Sequence, residues 1–219
     1  MFRRYRTIDS GEFIVVAVDT AAGMGDFTAA QYLSKTKLDV PIVFHSKVTT
    51  SDFIPQLAES LNKIFDITQI KPVVALERAN GGAFLIDRLG AINHLQKYKL
   101  YAMPKYGSID NGEPSTYGWD TNSATRPKML QDLKDIIDKK ALTLYDKQTI
   151  SEMYSFVLVQ TSTLWKAQAE KGAHDDLVMS LAIAWSMYQT CEAPKTDNEM
   201  RVMMTDLPKN KLFTSEGFY

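Results

Sequence analysis

Several features that mark other protein classes are nearly missing from this 219-residue sequence. Cys191 is the only cysteine, which excludes internal disulfides and cysteine-based zinc sites and fits a reducing compartment. No apolar run reaches the ~18 residues of a membrane-spanning helix, and the basic N-terminus lacks the apolar core of a signal peptide. The sequence therefore predicts a soluble intracellular protein, or a soluble piece of one.

A marked excess of one charge is also missing. The 25 Lys and Arg residues nearly balance the 26 Asp and Glu residues, for a formal net charge of −1, so the overall charge does not indicate nucleic-acid binding. Hydrophobic residues make up 45%, enough for one substantial core. If a protein of this balance binds a polyanion, its Lys and Arg must cluster locally, with acidic groups elsewhere or gathered around cations.

The order of the predicted elements indicates one α/β domain over residues 11–191. Residues 1–10 are basic and aromatic without periodicity, so we expect an arm or linker there. Residues 192–219 turn polar, so we expect a tail with little core of its own. In the domain, three closely spaced strands precede alternating strands and helices, which predicts a mixed sheet flanked by helices, its first three strands antiparallel and later ones parallel.

Hydrophobic periodicity and turn residues place the individual elements. The predicted strands cover residues 13–18, 27–34, 40–45, 72–76 and 100–103, with a later strand pair at 156–160 and 164–168. The main predicted helices begin near residues 50, 82, 126, 146 and 174. Residues 104–125 are rich in Gly, Pro and small polar side chains, and a loop of this length in a compact domain is usually functional or disordered.

Carboxylates follow two of the apolar strands at the point where each strand ends. Asp19 follows the run 13–18, and Glu77 follows the run 72–76. Because the carboxyl ends of neighbouring strands in α/β proteins border the crevice that binds ligands, both side chains are candidates for a site. Two simpler interpretations stay open: turn chemistry alone could explain Asp19, and Glu77 could form an ion pair with Arg78.

The adjacent pair Asp175 and Asp176 precedes a long apolar helix. One aspartate could serve as the N-cap at the positive end of the helix. A second carboxylate beside so apolar a helix is costly unless it is hydrogen-bonded, paired or bound to metal. If this helix packs across the sheet, the pair meets Asp19 and Glu77, and such a cluster cannot stay fully ionised without cations. Oxygen ligands without cysteine favour Mg²⁺ or Mn²⁺.

Three segments together resemble the acidic motifs of a known family. They are Ala17–Ala21 (AVDTA), Ala75–Gly82 (ALERANGG) and His174–Leu181 (HDDLVMSL), and they look like the motifs of the nuclease domain of tailed-phage terminase large subunits. The similarity covers residues 13–190. It implies the RNase H and Holliday-junction-resolvase fold, and an endonuclease that cuts concatemeric viral DNA during genome packaging with little sequence specificity.

The resemblance also assigns roles to individual residues. Asp19, Glu77 and Asp176 would be catalytic ligands of two Mg²⁺ or Mn²⁺ ions that hydrolyse the phosphodiester. The resemblance also implies that Asp175 is an auxiliary ligand or positioning group and that Asp26 is a further acidic residue for the second ion. His174 would support the centre from outside the ligand set.

Basic residues beside the long loop and before the last helix are candidates for holding DNA phosphates: Lys105, Arg126, Lys128, Lys166 and Lys171. Each of them could equally be a solvated surface charge. Phosphate contacts position a duplex without reading its bases, which agrees with a nuclease of low sequence specificity.

The family's full-length protein also carries an ATPase motor with a Gly-x-x-x-x-Gly-Lys-Ser/Thr phosphate loop, and no such pattern occurs in this sequence. We therefore expect either an excised nuclease domain or a stand-alone relative. The implied partners are double-stranded DNA, a motor domain on the same full-length chain, a small terminase subunit and a portal protein, in the host cytoplasm and without a membrane.

Two other functions stay open at this point. A Holliday-junction resolvase or an RNase H-type nuclease would use the same fold on branched or hybrid substrates. A non-catalytic DNA-binding or portal-binding domain would carry a vestigial acidic cluster and could dock its partner through residues 192–219.

Overall fold

The chain forms a mixed β-sheet with helices on both faces. The computed structural model describes residues 1–20, 26–103, 116–160, 165–169 and 174–193. The strands are β1 (Phe2–Arg4), β2 (Ile14–Asp19), β3 (Thr28–Ser34), β4 (Asp39–Ser46), β5 (Val73–Leu76), β6 (Lys99–Leu100), β7 (Ala102–Met103), β8 (Thr116–Tyr117), β9 (Thr143–Leu144), β10 (Phe156–Gln160) and β11 (Trp165–Ala169). The helices are α1 (Thr50–Thr68), α2 (Gly82–Ala91), α3 (Thr125–Asp138), α4 (Lys147–Tyr154) and α5 (Asp176–Thr190).

The central sheet has the strand order β1-β4-β3-β2-β5-β6, and β9 pairs with β4. Strands β2, β3 and β4 are antiparallel neighbours joined by short connections. Strand β5 runs parallel to β2, and β6 runs parallel to β5, because α1 and α2 supply the long crossovers that parallel pairing requires. The predicted α/β class and mixed sheet are confirmed.

Strand β2 lies at the centre of two hydrophobic cores. Its alternating residues contact opposite sides, with Val15 and Ala17 in the core shared with α3 and α5, and Val16 and Val18 in the core shared with α1 and α2. Helix α5 packs against β2, β3 and α3. Its residues 177–187 are all buried, which explains why the helix is apolar on every side and not along one stripe.

The first residues, expected to form an arm or linker, pack on the sheet in the structure. Strand β1 pairs with β4 at the sheet edge. The Arg6 guanidinium donates hydrogen bonds to Glu12 at 2.9 Å and to Asp39 at 2.6 Å. Although burial opposes the change, Arg6 lowers the pKa of Glu12 to about 2. These basic residues therefore have acidic partners within the domain.

The strand expected at 100–103 is divided between two sheets. Strand β6 ends the central sheet, whereas β7 pairs with β8 in a separate two-stranded sheet. Strands β10 and β11 form the expected strand pair, and their pairing is antiparallel. Residues 104–115 of the predicted loop, and the predicted tail from residue 194, lie outside the described residues. No helix within the described ranges has the length and hydropathy needed to cross a bilayer.

Candidate metal centre

Three acidic residues lie at one edge of the central sheet. Parallel pairing sets Val18 of β2 level with Leu76 of β5, so Asp19 and Glu77, each the next residue, lie side by side. Strand β3 runs in the opposite direction and begins at Thr28, which brings the preceding Asp26 to the same edge. The ends of β2 and β5 and the start of β3 therefore deliver carboxylates to one place, the end of a sheet where α/β proteins bind ligands.

The backbone of Glu77 is held from several sides. Its N–H donates to the Val18 carbonyl at 2.8 Å, and the Trp119 N–H donates to the Leu76 carbonyl at 2.9 Å, so the segment at Trp119 extends the sheet beside it. Gly82, at the start of α2, packs against the Glu77 carbonyl so closely that a Cβ there would lie 1.7 Å from the carbonyl oxygen. Only glycine fits this contact, and the contact fixes where Glu77 leaves the strand.

Helix α5 brings the aspartate pair to this edge. Asp175 occupies the N-cap position but makes no side-chain capping hydrogen bond; it forms an ion pair with Arg126 of α3 at 3.1 Å. The Asp176 Oδ2 atom is buried without a hydrogen-bond partner among the described residues, and His174 Nδ1 lies 3.8 Å from it. Burial raises the pKa of Asp176; His174 opposes this shift, whereas Asp175 and Asp26 add to it.

The carboxylates act on one another electrostatically. Burial raises the pKa of Asp19 well above its ordinary value, and the neighbouring Glu77 raises it further by charge and by a side-chain hydrogen bond. The charges of Asp176 and Asp175 add smaller contributions in the same direction. Carboxylates that disfavour one another's charge in this way form a site where a bound cation would balance the charge.

The donor chemistry fits a hard divalent cation. In the part of the chain that the structure describes, no three His, Cys, Asp or Glu side chains already stand in the arrangement of a metal site. The converging side chains offer carboxylate oxygens, the type that Mg²⁺ and Mn²⁺ prefer, and the buried Asp176 Oδ2 atom has no hydrogen-bond partner in the described part of the chain.

The basic candidates fall into three groups. Arg126 contacts the acidic centre through Asp175. Lys128 lies two residues further along α3 and forms an ion pair with Asp132 at 2.5 Å. Lys166 lies on β11 opposite Val159, whereas Lys105 and Lys171 lie outside the described residues.

The sequence analysis missed one acidic residue, Glu152 of α4. Its side chain is buried, and its Oε2 atom accepts a hydrogen bond from the Leu177 N–H at 2.9 Å. Burial raises the pKa of Glu152 to about 7; the Leu177 N–H opposes this shift, and the charge of Asp176 adds to it. A single Glu in a short amphipathic helix gives no local signal of such a role, because its partner is 25 residues away.

Comparisons with known proteins identify the fold. No protein-family model matches the chain, and no curated protein matches it. Solved structures of other proteins do match the chain. The large terminase nuclease of thermophilic phage G20c with bound cobalt is 18% identical, with 84% of this chain and 89% of that chain covered and a TM-score of 0.62. The nuclease domain of the Thermus phage P74-26 large terminase is 17% identical, with coverages of 89% and 87% and a TM-score of 0.59.

A more distant structure has the same architecture. The manganese-soaked human cytomegalovirus terminase nuclease domain is 9% identical, with 87% of each chain covered and a TM-score of 0.54. At such identities the likeness establishes the fold, and the predicted RNase H-like fold of the terminase nucleases is confirmed.

Proposed function

We propose that this domain is a divalent-metal-dependent endonuclease that hydrolyses phosphodiester bonds in DNA. The observation that carries the proposal is the convergence of Asp19, Glu77 and Asp176 at one sheet edge, with the pKa values of Asp19 and Asp176 raised by burial and by neighbouring carboxylates. The shared fold supports it, since two of the structural neighbours carry cobalt or manganese.

In this proposal Asp19, Glu77 and Asp176 hold two Mg²⁺ or Mn²⁺ ions. When bound, the ions supply a nucleophilic water and neutralise charge on the leaving oxygen. The chain's own contribution is to fix the ligands on rigid elements, a strand end for each of two carboxylates and a buried helix for the third. Asp175 positions Arg126 beside the centre through their ion pair, and Asp26 supports the second ion.

Arg126 is the basic candidate best placed to contact DNA. Its guanidinium group lies within hydrogen-bond distance of Asp175, so it can hold a phosphate next to the carboxylates without leaving the site. Such a contact reads charge and not base identity. We therefore propose double-stranded DNA as substrate, cut with little sequence preference.

The biological setting follows from the same likeness. We propose that the domain cuts concatemeric viral DNA during genome packaging in the host cytoplasm. Its partners in this proposal are an ATPase motor domain on the full-length chain, a small terminase subunit and a portal protein.

Plasmid cleavage in Mn²⁺ or Mg²⁺ tests the proposal. Asp19→Ala, Glu77→Ala and Asp176→Ala should each abolish cleavage while the circular dichroism spectrum stays that of a folded protein. Glu59→Ala is the matched control, because Glu59 is an exposed carboxylate on α1 that pairs with Lys63 in the next turn. Full activity in any of the three site variants would remove that residue from the centre.

Substrate comparison separates this proposal from its rivals within the fold. A terminase-type enzyme should cut linear duplex DNA at least as well as a four-way junction or an RNA–DNA hybrid. Preference for the junction would indicate a resolvase, and preference for the hybrid an RNase H. Isothermal titration that detects no binding at millimolar Mn²⁺ would favour a non-catalytic binding domain.

A further inference from the structure

The first turn of α5 is capped by a residue from a different helix. An α-helix leaves its first backbone N–H groups without partners, and a side chain at the N-cap position usually accepts one of them. Here the N-cap residue Asp175 makes no such bond. Glu152 of α4 accepts the Leu177 N–H at 2.9 Å instead, and the backbone of Val178 also hydrogen-bonds to it.

This remote cap leaves the aspartate pair available for other contacts. A carboxylate that caps its own helix is engaged with backbone N–H groups, so fewer of its lone pairs are left for a cation. In this structure Asp175 pairs with Arg126, and the Asp176 Oδ2 atom has no hydrogen-bond partner among the described residues. Glu152 therefore performs the capping that either aspartate would otherwise perform.

A buried chain of hydrogen bonds holds the cap in place. Asp146 accepts hydrogen bonds from the backbone and the hydroxyl of Thr149 at 2.8 and 2.7 Å, which fixes the start of α4. The Gln31 amide on β3 donates to the Thr149 hydroxyl at 3.1 Å and to the Leu177 carbonyl at 3.2 Å. Strand β3, helix α4 and the first turn of α5 are thus joined by directional bonds as well as by packing.

We propose that Glu152 is a positioning residue of the acidic centre: it caps α5 from α4, so that the Asp175 carboxylate and the Asp176 Oδ2 atom stay available to cations. This inference rests on the proposed metal-dependent function. It assigns to Glu152 no contact with substrate or ion.

Two conservative variants separate the reach of the side chain from its charge. Glu152→Gln keeps an acceptor oxygen at the same distance but removes the charge, whereas Glu152→Asp keeps the charge but is one methylene too short to reach Leu177. The measurements are Mn²⁺ affinity by isothermal titration and amide hydrogen exchange of Leu177 in the metal-free protein. Melting temperatures identify any variant that loses its fold.

Glu152→Asp should weaken Mn²⁺ binding by about 10- to 100-fold, the usual loss when an outer partner of a metal ligand is removed. Its Leu177 amide should exchange about tenfold faster, since a charge-assisted hydrogen bond is lost. Glu152→Gln should retain most of the affinity and of the protection. If the role rested on charge alone, Glu152→Asp would keep more of the Mn²⁺ affinity and of the Leu177 amide protection than Glu152→Gln. That result would overturn the inference.

The wild-type titration distinguishes the two proposals. If the wild-type protein binds no Mn²⁺, the proposed metal site is wrong and the inference fails with it. If the wild-type protein binds Mn²⁺ and a folded Glu152→Asp protein binds it equally well, only the inference fails.

Discussion

A single methyl group at Gly82 should disable the acidic centre. Gly82 has φ −58° and ψ −30°, a helical conformation that alanine adopts freely, so Gly82→Ala adds no backbone strain of its own. The cost arises from contact alone, because the added Cβ would lie 1.7 Å from the Glu77 carbonyl oxygen and 2.9 Å from its carbon.

The required displacement sets the size of the effect. Ordinary contacts of a Cβ begin at 3.4 Å, so the backbone of Glu77 and the start of α2 must separate by well over 1 Å, and both contacting groups are backbone. A displacement of ~1 Å at a reacting centre can cost ~100-fold in rate, whereas overpacking costs about 1–3 kcal/mol of stability. Gly82→Ala should therefore lose at least about 100-fold in plasmid cleavage while remaining folded.

Gly90→Ala in the same helix is the matched control. Its added Cβ meets only the Leu100 Cδ1 atom at 3.2 Å, the far end of a side chain that can move. Replacing a glycine within a helix by alanine also stabilises the folded protein by about 0.5–1 kcal/mol. The control should cleave at the wild-type rate with an equal or higher melting temperature. A folded Gly82→Ala protein that cleaves as well as the control would refute the role of the Glu77 backbone position.

Three further predictions concern stability. If Mn²⁺ binds with a Kd of about 0.1 mM, 10 mM Mn²⁺ should stabilise the protein by ~2.7 kcal/mol and raise Tm by about 5–10 °C; Asp176→Asn should abolish that rise in thermal denaturation. Because the folded pKa of Glu152 is about 7, above its ordinary value of 4.5, the native state binds more protons between these pH values. The stability that this proton contributes is complete below pH 4.5 and is lost as pH rises through about 7. In urea denaturation of the metal-free proteins, the free energy of unfolding of Glu152→Gln should therefore fall less over this pH range than that of the wild type. Arg6→Met should cost about 3–5 kcal/mol in the same assay, since Glu12 and Asp39 are left buried without their guanidinium; a loss below ~1 kcal/mol would contradict that assignment.

The strand-end carboxylates were predictable because their signals are local. A β-branched run that stops at a carboxylate identifies Asp19, and a second apolar run identifies Glu77. Parallel pairing of the two strands then aligns the residues. The apolar character of α5 on all sides likewise indicated a helix buried against the sheet, which brings Asp176 to the same edge.

What the sequence did not predict depends on contacts between distant segments. Local capping rules favour Asp175 as a helix cap, but Glu152 of another helix occupies that role. The first ten residues resembled a basic arm because the sequence does not show that Arg6 pairs with Asp39, which lies 33 residues away. In both cases a buried polar partner that is supplied by tertiary structure overrides a rule based on neighbours in sequence.

Anomalous diffraction from a crystal soaked in Mn²⁺ tests the central claim most directly. Two peaks should lie among the carboxylates of Asp19, Glu77 and Asp176, with the Oδ2 atom of Asp176 within coordination distance of a peak. No peak at this edge of the sheet at millimolar Mn²⁺, in a crystal where the three side chains are accessible, would contradict the claim that the acidic cluster is a metal centre.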